Sequence, residues 1–91
     1  MYNTLFMSNK LEILKKRLIY RASYRGTKEM DILLSAFVNK YIHTFDEVHL
    51  FELENFLNFE DEIILNFYNY DIVKKKIDEN KIAKLFKNFK I

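Results

Sequence analysis

The chain has 91 residues, 49% of them hydrophobic and 16% aromatic, with 15 Lys and Arg against 13 Asp and Glu. That length holds one core and no second domain, and so apolar a composition excludes a disordered chain. The absence of cysteine excludes a disulfide framework and thiolate chemistry, and a formal charge of +2 is too small to indicate nucleic acid by itself.

In chain order, residues 1–8 are expected to be a flexible N-terminus, with Met7 an alternative start to Met1. Its apolar run is too short for a signal peptide. Asn9 with Glu12 forms a capping-box variant that opens the first helix. Leu11, Leu14, Leu18 and Ala22 follow one face of it. Gly26, the only glycine, suits a helix-ending residue in the left-handed conformation.

Thr27 caps the second helix, and Glu29 and Asp31 stand in its first turns, where the dipole favours anions. Its buried stripe is Met30, Leu33, Leu34, Phe37 and Tyr41, and it runs to about His43. A third helix starts near Asp46, with Thr44 and Glu47 as a capping pair and Leu50, Leu53, Phe56 and Leu57 inward. A short fourth helix, Glu60 to Tyr68, offers Ile63, Ile64 and Phe67.

After "NYD", Ile72, Val73 and Ile77 begin a basic C-terminal helical segment, residues 71–91, which Ile82, Leu85, Phe86 and Phe89 continue at helical spacing. The fold class is all-α: a compact bundle of about five short helices in a single domain. No run approaches the ~18 apolar residues of a membrane span, and a cytoplasmic location is expected.

Charge is unevenly placed. No Lys or Arg lies between Tyr41 and Val73, seven acids fall between Asp46 and Glu62, and seven lysines follow from Lys74 onward. All three arginines sit with the glycine in "RLIYRASYRGTKEMDILL", residues 17–34. Arg17, Arg21 and Arg25, four residues apart, form one slowly drifting row on the first helix. Arg21 and Arg25 fall seven and eleven residues after Leu14, so they continue its apolar seam, and Tyr20 and Tyr24 flank them.

Two readings fit the row. The cations suit the C-terminal dipole of a helix that outlasts its partner. Alternatively, the bundle opens there into a polar surface for a carboxylate, a phosphate or a partner's backbone. The planar guanidinium gives the second a bidentate geometry that lysine lacks. Gly26 is likewise a helix stop, or a point of close approach for another chain. Glu29 and Asp31 are helix-start acids, or orient an arginine across the turn. Lys28 is read as solvated.

The stretch "KKRLIYRASYRGTKEMDILLSAF" resembles the signature of the small flavinylation factors of succinate dehydrogenase, the bacterial FAD assembly factors and their mitochondrial counterparts. The matching positions are Lys16, Arg17, Leu18, Tyr20, Arg21, Arg25, Gly26, Glu29 and Asp31. A second block, "FELENFLNFEDEIILNF", is similar to the family's apolar stretch followed by an acid and a short helix. The chain departs from the pattern at Ser23 and Tyr24, at Phe67, in lacking a glycine after the fourth helix, and in its lysine-rich tail.

The resemblance implies a five-helix assembly chaperone, not an enzyme. It would bind the flavoprotein subunit of succinate dehydrogenase and promote covalent attachment of FAD to a histidine there. Fumarate reductase's flavoprotein is a second client on this reading. Arg17, Arg21, Arg25, Gly26, Glu29 and Asp31 would form the partner surface, with FAD held by the partner and no cofactor, metal or catalytic residue in this chain. A monomer is expected, and His43 and His49 are read as surface residues. The alternative is a small helical nucleic-acid binder that uses the arginine row and the lysine-rich tail. A further option lays the C-terminal helix on a membrane; Ile82, Leu85, Phe86 and Phe89 more simply cover the bundle.

Overall fold

With no proline and one glycine, little in the backbone chemistry stops a helix here, so side-chain caps and burial set the boundaries. The computed structural model describes the backbone of residues 2–91 and the side chains of residues 9–91. Five α-helices follow in order: α1 (Tyr2–Ser23), α2 (Lys28–Tyr41), α3 (Glu47–Leu57), α4 (Asp61–Tyr70) and α5 (Lys81–Lys87). Single 3-10 turns occupy Ile42–Thr44 and Ile77–Glu79. Among the described residues there is no strand.

Asn9 lies inside α1, so the capping box expected there does not form. Nothing before it breaks the helix, and an interior asparagine costs only about 0.5 kcal/mol. Of the N-terminus expected to be flexible, Met1 and the side chains before Asn9 lie outside the described residues.

Thr27 does cap α2: its hydroxyl accepts from the Met30 N–H at 3.4 Å. That helix ends at Tyr41, and the residues expected to extend it form the first 3-10 turn. Thr44 is spent in that turn, its hydroxyl donating to the Tyr41 carbonyl at 2.7 Å. The cap of α3 is therefore Asp46, whose Oδ1 accepts from the His49 N–H at 2.8 Å.

α4 ends at Asp71, which takes the left-handed conformation (φ 59°, ψ 22°) that a glycine would take more cheaply. Asp71 donates its N–H to the Phe67 carbonyl at 3.2 Å. The C-terminal segment is not one helix. Its chain is irregular to Lys76, and Ile72 and Val73 stay exposed.

α1 packs on α2 and α3, and α5 closes the bundle on α3 and α4. Where α2, α3 and the C-terminal segment meet, the Phe37 ring has Phe86, Phe89 and Phe56 around it at 5.1, 5.4 and 6.5 Å, all edge-on. Edge-to-face packing suits the ring quadrupoles and adds about 0.5–1.5 kcal/mol per pair beyond burial. Of the expected stripes, Leu18 and Ala22, then Met30, Leu33, Leu34 and Phe37, then Leu50, Leu53, Phe56 and Leu57, then Ile63, Ile64 and Phe67 are buried in the core, while Leu11, Leu14 and Tyr41 pack at its edge, partly buried.

Asn80 fastens the last helix. Its Oδ1 caps α5 by accepting from the Ala83 N–H at 2.8 Å, and its Nδ2 donates to the Glu52 carbonyl at 3.0 Å. The Glu52 carboxylate in turn accepts from the Lys81 N–H at 3.0 Å. Lys87 ties α5 to the end of α4 by donating to the Phe67 carbonyl at 2.9 Å.

Candidate partner-docking site

The arginine row leads to the turn between α1 and α2. Ser23 ends α1, so Gly26 does not stop the helix; it lies in the connecting turn just before the Thr27 cap. Its φ is +120°, a conformation that side chains with a Cβ rarely adopt. It is exposed, and a Cβ built on it would meet no atom within 4 Å. The glycine serves the backbone, and the space above it is open.

Arg25 follows the apolar seam rather than the surface. Its guanidinium turns inward onto the corner between α3 and α4, with its side chain only 10% exposed. Nε donates to Asp61 Oδ1 at 2.8 Å, Nη1 to the Leu57 carbonyl at 2.6 Å and Nη2 to the Phe59 carbonyl at 2.7 Å. Leu57 is the last residue of α3, whose end carbonyls have no helical partner. Asp61 is the first residue of α4, where a carboxylate is favoured. One planar fork thus satisfies the end of one helix and the start of the next. An ammonium cannot reach all three acceptors in that geometry.

Asp31 joins the same structure: its Oδ1 accepts the backbone N–H of Arg25. The expected option that an acid orients an arginine across the turn is what the geometry shows for Asp31, through the main chain. Both groups are bonded within the fold. Arg25, expected on the partner surface, is thus engaged within the fold rather than presented to solvent, and the exposed row on which a nucleic-acid reading relied has one cation fewer.

The other four expected residues lie at the surface. Arg21 is half-buried and donates from Nη2 to Asn58 Oδ1 at 2.7 Å. Arg17 and Glu29 are exposed. Tyr20 and Tyr24, also exposed, lie against each other with centroids 4.5 Å apart and ring planes tilted by 35°.

The end of α1 and the start of α4 enclose an open cleft of about 600 Å³, lined by Tyr20, Arg21, Tyr24, Arg25, Glu60, Asp61 and Glu62. The three acids were legible only as a run opening α4, with no signal that they would face the arginines. The cleft brings an aromatic pair, two guanidinium groups and carboxylates to one edge beside the glycine turn.

The histidines lie elsewhere. His43 is exposed, and His49 Nδ1 is 2.7 Å from Asp46 Oδ1. The His49 backbone N–H, then its ring, hold the Asp46 carboxyl below the usual carboxylate range. Among the described residues, no group of three or more His, Cys, Asp or Glu could hold a metal, and no helix is long and apolar enough to cross a membrane.

Comparison with known proteins bears on this turn directly, because the matched region spans it. The chain is 38% identical over 79 residues to the mitochondrial succinate dehydrogenase assembly factor 2 of Scheffersomyces stipitis, covering 82% of this chain and 53% of that protein. The protein of the same name from Lodderomyces elongisporus is 33% identical over 82 residues, covering 82% and 48%. Assembly factor 2-A of Drosophila willistoni is 51% identical over 37 residues, 41% of this chain and 24% of that one. The chain thus spans about half the length of the curated fungal relatives it matches. No solved structure matches it. A family model described as "Flavinator of succinate dehydrogenase" matches residues 16–90, from the start of the arginine row to the closing segment. On that match the chain belongs to the succinate dehydrogenase flavinator family.

Proposed function

We propose that this protein is an assembly chaperone that docks on the flavoprotein subunit of succinate dehydrogenase and promotes covalent attachment of FAD to a histidine of that subunit. Family membership supports the client, and the open turn supports the surface. Arg17, Arg21, Gly26 and Glu29 face the partner, with Tyr20 and Tyr24 beside them. Arg25 and Asp31 belong to the same site as positioning residues that hold the turn in shape.

FAD, held by the partner, supplies the difficult chemistry. The factor's part is geometric: it holds the client's flavin domain so that the acceptor histidine lies close to the isoalloxazine, which lowers the cost of alignment. Such a role needs a rigid, preformed face, and the three bonds of Arg25 provide that rigidity. We place this action in the cytoplasm, with one copy acting per client; fumarate reductase's flavoprotein is a second client of the same kind.

The single observation that carries the reading is the exposed Gly26 turn, with nothing within 4 Å of its missing side chain, inside the region that matches the family. The test is in-gel flavin fluorescence of the dehydrogenase subunit made with and without this protein. A covalent flavin band that rises with the protein is expected; equal bands would overturn the proposal.

A further inference from the structure

The connection between α4 and the second 3-10 turn carries side chains that neither the core nor the glycine turn uses. Tyr70, Ile72 and Val73 are exposed, at 70%, 42% and 49%. Directly after them stand Lys74, Lys75 and Lys76, all exposed. Lys75 and Lys76 both take positive φ, 52° and 58°, a region that residues with a Cβ seldom occupy, least of all in succession. The fold holds them there from the far side. Ile77 is buried and donates its N–H to the Lys74 carbonyl at 3.1 Å, and the Glu79 N–H donates to the Lys76 carbonyl at 3.0 Å. An unfavourable backbone is therefore kept at the point where aliphatic side chains and ammonium groups stand together in water.

Charge points the same way. Residues 71–91 hold seven lysines against three acids. Lys87 pairs with Asp71 at 2.6 Å, and Lys75 stands 3.7 Å from Glu60 with both side chains largely in solvent, a loose pair of little strength. Lys74, Lys76, Lys81 and Lys84 make no ion pair among the described residues.

We infer that this loop is a peripheral anchor for an anionic lipid surface. Ile72 and Val73 enter the boundary between headgroups and acyl chains, Tyr70 sits at headgroup level, and Lys74, Lys75 and Lys76 bind lipid phosphates. Two observations favour a bilayer over a protein partner. The aliphatic pair is exposed and lines neither the cleft beside Arg21 nor the smaller one beside Asn58 and Ile63. The cations here are all lysine, compact point charges that suit a diffuse layer of phosphates, whereas the geometry-demanding arginines are all on α1 and the turn that follows it.

The test is sedimentation of the full chain with vesicles, and it contains no flavoprotein, so its outcome is separate from the docking proposal. Phosphatidylcholine vesicles are compared with vesicles holding an equal part of phosphatidylglycerol, at low and high salt. The protein is expected to sediment with the anionic vesicles only, and to be released by salt. Replacing Lys74, Lys75 and Lys76 by Gln is expected to weaken partition about a hundredfold. Ile72→Ser with Val73→Ser weakens it about tenfold. Both variants keep a native circular dichroism spectrum, because every altered side chain is exposed. No sedimentation with anionic vesicles at low salt, or undiminished binding in either variant, would overturn the inference.

Discussion

Arg25 Nε and Asp61 Oδ1 meet at 2.8 Å across 36 residues of sequence, joining the turn after α1 to the first turn of α4. Nη1 and Nη2 of the same side chain go to main-chain carbonyls, so the pair cannot be judged as a simple salt bridge. Arg25→Lys keeps the charge and leaves acceptors at Leu57 and Phe59 without their donors. Urea unfolding is expected to show a loss of about 1–3 kcal/mol at an unchanged m-value. A midpoint equal to that of the parent would mean that the fork is dispensable.

Gly26 separates backbone strain from partner contact. At φ +120° any side chain is strained, by about 1–3 kcal/mol, but no atom stands near enough to clash. Gly26→Ala and Gly26→Arg are therefore expected to lower the melting temperature by similar amounts and to keep a helical circular dichroism spectrum. Flavinylation of the client should fall much further with arginine than with alanine. Equal flavinylation in the two variants would show that nothing approaches this turn.

Asn80 makes two bonds that can be removed separately. Asn80→Ala loses the cap of α5 and the bond to the Glu52 carbonyl, for about 2 kcal/mol in all. Asn80→Asp keeps an acceptor for the cap and loses only the donor, so it should cost about half as much. Denaturant midpoints in that order, alanine below aspartate below parent, are the expected result.

The start of α3 is sensitive to acid. Asp46 has its folded carboxyl lowered, first by the His49 backbone N–H and then by the His49 ring. A lowered folded value favours the folded state above the unfolded carboxylate value, near pH 4. That contribution fades as pH falls through the folded value. Thermal melts of Asp46→Asn, which keeps an acceptor and cannot ionise, should therefore be flatter than the parent's below about pH 4. Parallel curves would remove Asp46 from the acid response.

Burial on a helix repeats, and repetition could be read. Met30, Leu33, Leu34 and Phe37 or Leu50, Leu53, Phe56 and Leu57 each announce a face, and each face is in the core. Helix ends depend on single polar residues with several options, which is why Asn9 and Thr44 misled and Thr27 did not. The inward turn of Arg25 was half visible: its spacing from Leu14 put it on the apolar seam. Its acceptors were not, since two are main-chain carbonyls that no residue type marks. Ile72 and Val73 do not belong to a helix, although they open the basic segment in the sequence. The backbone there is irregular, so no period existed to test which way they face.

The rings around Phe37 set an order of events during synthesis. Phe37 leaves the ribosome well before Phe86 and Phe89, two of the rings packed around it. Until those arrive, α1 already packs on α2 and α3, but the side of the Phe37 ring that the C-terminal segment covers stays bare. Final consolidation of the core thus waits for the C-terminal turns that carry Phe86 and Phe89.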